Sequence, residues 1–381
     1  MTSLAAGASL RAGDPADLLV RDARAEDNAA LVALAAACPM KGDVALCVDR
    51  APNFFALAEL EGERCRVGVA EVAGEVVGCV AFSERLAYLN GRPALTGYAS
   101  DLKVHPRHRG GGAADALEAY TQMAGRGFGG DDFPTLLTIL AGNRAMELRA
   151  AGPRGLPELA RFATVLVHAV PLLWPRNARV DGVRVESACE ADLEEMGALW
   201  QRLAPARQLA PVLGARSLHN WLRRAPGLAV HDYLVARRRD GRIAGFLAVW
   251  DQGCFKQLRV TAYSPRLAAA RSVLNAVAPL TRTPCLPAPG GVLPALAAVH
   301  LCVPPGDAAL LRALLLHAYA ARRGAHAFLT LALDRLDPLS AALRGLYAQP
   351  TAVGAYLTTP GGRWTGPVPD GRPLHFESAL V

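Results

Sequence analysis

The sequence predicts an α/β protein made of two tandem copies of one unit. Two observations carry this. Strand-like and helix-like segments alternate in the order βααβββαβα through the first part of the chain, and the same order returns about 165 residues later, a spacing that marks domain duplication and not a solenoid. A third is permissive: 381 residues with 52% apolar and 20% charged content can bury two cores of ordinary size.

In the first copy, residues 18–25 read as a short apolar strand ending in charge. Glu26, Asp27 and Asn28 supply cap residues for the helical run AALVALAAAC. After the loop PMKGD, residues 51–59 read as a second short helix. CRVGVAEV and EVVGCVAFSER, joined by the turn AGE, form a predicted hairpin. A strand at 94–104 then enters a glycine turn, followed by a helix at 113–124, the strand TLLTIL at 135–140, a helix at 143–150 and a last strand at 163–170. The Pro, Asn and Gly of LLWPRNARVDG make 172–182 the expected linker.

The second copy starts at once. VRVESACEADLEEMGALW repeats LLVRDARAEDNAALVALA, and DYLVARRRDGRIAGFLAVW repeats the hairpin. LAAVHLCV, a helix at 307–321, AFLTLALD, a helix at 337–348 and AVGAYLTT complete the order. The expected division is a flexible 1–16, a first domain 17–171, the linker, a second domain 183–360 with an insertion at about 255–293 that carries the helical stretch SPRLAAARSVLNAV, and an irregular tail 361–381.

Composition narrows the class. Lys plus Arg number 41 against 34 Asp plus Glu, a formal +7 with no run of five like charges, which weakly favours anionic ligands. The start MTSLAAGASLRAGDPAD makes a poor secretory signal, and no apolar run reaches about 18 residues, so a cytoplasmic protein with no membrane partner is expected. The eight cysteines show no C-x-x-C pair and no His at zinc spacing; they read as reduced packing residues, and no metal is expected.

The chemistry concentrates in VHPRHRGGGAADAL, residues 104–117. A strand that passes through Arg109, Gly110, Gly111, Gly112, Ala113 and Ala114 straight into a helix aims successive backbone N–H groups and a positive helix end at one point, a geometry that binds phosphate. Glycine lets the backbone approach an oxyanion closely. No Gly-Lys-Ser/Thr follows, which excludes a Walker A loop, and no βαβ unit with a downstream ribose-binding acid surrounds it. The four basic residues here lack the aromatic platform or basic helix of a nucleic-acid surface.

At these residues the chain resembles the GNAT superfamily of acyl-CoA-dependent N-acyltransferases, whose pyrophosphate loop reads Q/R-x-x-G-x-G/A; the resemblance spans roughly 18–170. It implies a mostly antiparallel mixed sheet flanked by helices in each copy, with acetyl-CoA or another acyl-CoA as donor. The turn 109–114 would grip the pyrophosphate, the backbone from Leu102 to Val104 the pantetheine arm, and Asn143 would approach it. Pro39, Met40 and Gly42 would border the acceptor. Glu84, Tyr98 and Asp101, with Ser100, are the candidates for deprotonating the amine; Asp101 has the alternative role of a structural acceptor for loop amides. The tyrosine that often serves the leaving thiolate is missing from NRAMELRAAG.

The second copy reads HLCVPPGDAALLRALL at the matching junction, where Pro304 and Pro305 remove two amide donors. It is expected to be degenerate. Trp250, Asp251, Gln252, Lys256 and Gln257 lie close together and either face a shared cleft or form a solvated loop. The expected activity is acyl transfer to a small-molecule or peptide amine by direct attack, in a monomer or homodimer. Two rivals remain: a transferase that takes its donor from aminoacyl-tRNA or a carrier-protein thioester, and a non-enzymatic CoA-sensing or interaction module.

Overall fold

A computed structural model describes residues 10–11, 18–40, 42–152, 159, 161–177, 180, 182–362, 364 and 366–381. Most of the expected flexible N terminus, Lys41, and residues 178, 179 and 181 of the expected linker lie outside the described residues.

The first half contains β1 (Leu10–Arg11), β2 (Leu19–Asp22), α1 (Asn28–Ala36), β3 (Val44–Asp49), α2 (Phe55–Glu61), β4 (Arg64–Val72), β5 (Glu75–Leu89), β6 (Arg92–Val104), α3 (Ala113–Gly129), β7 (Thr135–Leu140), α4 (Arg144–Ala150) and β8 (Arg161–Pro171). The second contains β9 (Arg184–Ser187), α5 (Leu193–Leu203), α6 (Ala215–Arg224), β10 (Tyr233–Arg237), β11 (Ile243–Asp251), β12 (Gln257–Tyr263), α7 (Pro265–Thr281), β13 (Ala295–Cys302), α8 (Ala308–Arg322), β14 (Phe328–Asp334) and β15 (Gln349–Thr358).

Among the described residues, thirteen strands form one mixed sheet in the order β1-β2-β4-β5-β6-β7-β15-β8-β14-β13-β11-β10-β9. Its parallel pairs are β6 with β7 and β13 with β14. The halves exchange their last strands: β15 inserts between β7 and β8, and β8 reaches across to β14. Helices cover both faces, as the α/β class requires.

The duplication is visible at the level of single residues. Gly78 on β5 lies where a Cβ would meet Leu117 at 3.0 Å and the Lys103 carbonyl at 3.1 Å; Gly245 on β11 would meet Leu310 at 2.8 Å and the Cys302 carbonyl at 2.9 Å. Both neighbouring strands carry a bulge. The β5–β6 register slips between Cys79 and Ala81, and the β11–β13 register slips between Phe246 and Ala248. At these slips Asp101 and His300 hold φ of 52° and 51°, a left-handed conformation that L side chains rarely adopt.

Three local expectations are corrected. Residues 44–49, between the expected loop and helix and given no element by the sequence, form β3, because their partner β12 lies in the expected insertion; Arg259 Nε donates to Asp49 Oδ2 at 2.7 Å across 210 positions. The second helix begins at Phe55 instead of 51, since Asn53 Oδ1 accepts from Phe55 N and Asn28 Oδ1 from Phe54 N. The helix expected at 337–348 is a 3-10 turn, Pro338–Leu343, capped by Asp337.

Leu57 and Leu60 of α2 are buried in the core of the second half with Trp200, Trp221 and Trp250, so α2 belongs to both halves. No helix among the described residues is long and apolar enough to cross a membrane. Gly97 sits at the β6–β7 junction, where a Cβ would meet Phe82 at 2.7 Å, Phe133 at 2.9 Å and Thr135 Oγ1 at 2.9 Å. Gly97→Val is therefore expected to cost about 1–3 kcal/mol by overpacking, read as a lower urea midpoint at unchanged m.

Candidate functional site

β6 and β7 pair only where Gly97–Ala99 face Thr135–Leu137. Beyond that point β6 continues along β5 and β7 along β15, so a slot with one unpaired edge from each strand opens between them. The bulge at Asp101 bends β6 where the two diverge. Tyr98 and Thr138 bridge the start of the slot through their hydroxyls at 2.9 Å.

The slot leads to the glycine turn. A 3-10 turn, Pro106–His108, follows β6; Gly110 and Gly112 hold φ of 87° and 82°, and α3 opens at Ala113. The first amides of a helix have no partner inside it, and no acceptor among the described residues meets those of Ala113 and Ala114. A Cβ at Gly110 would have nothing within 4 Å, so the turn is open to a ligand. Arg109 is exposed, and its Nε donates to the Val104 carbonyl at 3.2 Å, which pins the turn to the strand end. Cys38 Sγ approaches the same carbonyl at 3.6 Å, so Pro39 and Met40 follow directly beside the slot exit. Met40 is 39% exposed and bridges back to Leu46, with Gly42 just beyond. Asn143 is exposed and caps α4, its side chain accepting from Met146 N at 3.5 Å.

The acids expected to act on an amine separate here. Glu84 pairs with Arg64, whose Nε donates to Oε1 at 3.1 Å and whose guanidinium lies 4.6 Å from the Phe128 ring. Strand alternation puts Glu84 and Gly97 on the α3 face, and Tyr98 and Ser100 on the opposite one. The structure does not bring Glu84 to the others. Asp101 receives Arg50 Nη1 at 2.8 Å and is paired with Lys103. Burial works to raise its pKa, yet Lys103 and then Arg50 hold it well below the usual carboxylate range. Burial pushes the Tyr98 hydroxyl far above its usual value. Asp101 therefore fastens the bulge to the buried Arg50, and Asp101→Asn, which strands that cation, is expected to lower stability by about 3–5 kcal/mol in a thermal melt.

Sequence reasoning missed Glu61. It ends α2, is 3% exposed and accepts a hydrogen bond from Ser100 Oγ at 2.8 Å, one residue before the bulge. Burial, reinforced by the Asp101 charge, pushes its pKa up to about 8. Its position four residues after Leu57, on the buried stripe of a short apolar helix, was the available signal.

The second half repeats the opening without the turn. β13 and β14 pair only at Ala295–Ala297 with Phe328–Thr330 and then part. Asp307 caps α8 with its own side chain, accepting from Leu310 N at 3.1 Å. The end of the chain occupies this opening: Leu374 N donates to Asp334 Oδ2 at 2.9 Å, His300 N donates to Glu377 Oε1 at 2.8 Å, and a 3-10 turn, Ser378–Leu380, packs on β13 and β14. Gln252 and Lys256 do not line an open cleft; both are buried and donate to the Ala379 carbonyl, at 2.9 and 2.8 Å. Trp250 is fully buried, with Nε1 donating to the Pro226 carbonyl.

No family model matches the sequence, and no curated protein matches it. Solved structures do. Saccharomyces cerevisiae N-myristoyltransferase with bound myristoyl-CoA gives a TM-score of 0.60 over 93% of this chain and 89% of that one, at 11% identity. A tandem GNAT protein from the clavulanic acid biosynthesis pathway gives 0.54 over 91% and 99%, at 14% identity. A GCN5-related glucosamine N-acetyltransferase region of a fungal multi-domain β-N-acetylglucosaminidase gives 0.59 at 16% identity, and this chain spans 39% of that protein's length. The fold is the GNAT fold.

Proposed function

We propose that the first half binds acetyl-CoA or another acyl-CoA and passes the acyl group directly to an amine, with Glu61 as the proton acceptor. One observation supports the reading: β6, which parts from β7 and runs on to a turn whose Ala113 and Ala114 amides meet no acceptor among the described residues, carries Ser100, whose hydroxyl donates to a buried carboxylate, Glu61, that forms no ion pair among those residues. A pyrophosphate suits the amides of the turn, and the arm between it and the thioester suits the unpaired strand edges. A neighbour of the same fold holds myristoyl-CoA.

The chemistry then balances. Amine nitrogen forms a bond to the acyl carbon, the C–S bond breaks, and the proton shed by the amine goes to Glu61 and from there to the leaving thiolate. A carboxylate whose pKa is about 8 is a far better acceptor at neutral pH than an ordinary glutamate. Backbone donors at the bulge would meet the oxyanion, each worth roughly 3 kcal/mol. Asp101, tied to two cations, is too weak a base and acts by fixing the strand.

A thermal-shift titration tests the donor site, because a ligand that binds only the folded state stabilises it in proportion to ln(1 + [L]/Kd). Saturable stabilisation by coenzyme A is expected, and no response to coenzyme A, acetyl-CoA or a long-chain acyl-CoA overturns the reading. Thiol release from acetyl-CoA on a panel of amines then separates an enzyme from a module that only binds the donor.

A further inference from the structure

We infer that residues 374–380, seated in the sheet opening of the second half, are a positioning element that fixes α2 so that Glu61 meets Ser100 at the slot of the first half. This rests on reading that slot as catalytic. The degenerate half then serves as the socket for a strut.

The seat is built from the same parts as a donor site. Glu377, 7% exposed, accepts the amide of His300, the bulge residue that matches Asp101, and lies 2.9 Å from His375 Nε2. Before it, Gln208 N donates to the Pro373 carbonyl and His375 N to the Gln208 carbonyl, both at 2.9 Å. After it, Gln252 and Lys256 clamp the carbonyl of Ala379. Anchors on both sides leave the turn between them little freedom.

From that seat the chain reaches the first half. Ala379 and Leu380, 1% and 6% exposed, pack in one core with Leu57 and Leu60 of α2, and the residue after Leu60 is Glu61. α2 has seven residues, and its N-cap, Phe54, supplies no side-chain acceptor; Asn53 and Asn28 hold only the first amides, at the end away from Glu61. A helix of less than two turns does not hold itself, so packing sets where its last residue lies. Part of that packing comes from the tail.

Hydrogen exchange on the full-length protein tests this without needing turnover. In Leu380→Ala the peptide spanning residues 55–61 is expected to exchange at least about tenfold faster, while the start of α3 and the stabilisation by coenzyme A stay as in the wild type. Leu380→Met is expected to restore protection. The acid limb of the pH profile for thiol release is expected to move from about 8 toward the ordinary glutamate range in Leu380→Ala, as Glu61 gains solvent; a residue that merely stabilised the fold would lower activity without moving it. Unchanged exchange in α2 would overturn the inference, as would exchange that rises equally in α2 and α3. If Leu380→Ala does not fold, the comparison passes to Glu377→Gln, which keeps an acceptor oxygen for His300 but loses the charge beside His375. Absence of turnover in the wild type would count against the proposed function alone, because the exchange result decides the strut by itself.

Discussion

Gly112→Glu is expected to abolish coenzyme A binding in a chain that still folds. Gly112 holds φ of 82°, and a side chain in that region costs roughly 1–2 kcal/mol. The site has room, with only Leu18 Cδ2 at 3.9 Å from a Cβ, and a carboxylate at the start of a helix returns about 0.3–1 kcal/mol. Stability therefore changes little. Binding changes much, because the new charge competes for the amides of Ala113 and Ala114 and repels a pyrophosphate. At about 4 Å and an effective dielectric near 20, one such pair is worth roughly 4 kcal/mol, so a loss of at least about 100-fold in affinity is expected by calorimetry. Gly74→Glu is the control: its φ is also 82° and its surroundings are open, but it lies in the β4–β5 turn, and it is expected to bind as the wild type does.

Glu61→Gln is expected to reduce turnover by about 10²–10⁴-fold while leaving the affinity for coenzyme A unchanged. Glutamine keeps the shape and an acceptor for Ser100 Oγ, so the loss reports the proton. Stability should respond to pH with a definite sign. The folded-state pKa of Glu61 is raised to about 8, so its contribution is intact at low pH and is lost as pH rises through that value. Near pH 5 the variant should match the wild type, and near pH 9 it should be the more stable of the two. Equal stability at pH 9 would argue that the carboxylate is not buried as described.

Legibility in the sequence followed the range of the interaction. The glycine turn could be read because its conformation is set by adjacent residues, with Gly110 and Gly112 at positive φ just before α3, and the duplication because both hairpins repeat as local patterns. Pro304 and Pro305 remove two amides within the turn itself, so the difference between the two junctions was also readable. Glu61 was not, since its partner Ser100 is 39 positions away and its burial depends on the other half. β3 needs β12, and the first half's sheet is completed by β15; neither pairing leaves a mark in local periodicity. Glu84 and Asp101 were visible as acids, but Arg64 and Arg50, which commit them to ion pairs, are not near them in the chain.

The most direct measurement is a crystal structure of the full chain soaked with acetyl-CoA. One molecule per chain is expected, with pyrophosphate on the amides of residues 110–114, the pantetheine arm between β6 and β7, and the thioester beside Ser100 and Glu61. Density for the pyrophosphate elsewhere, or a donor lying between β13 and β14 in place of residues 374–380, would contradict it.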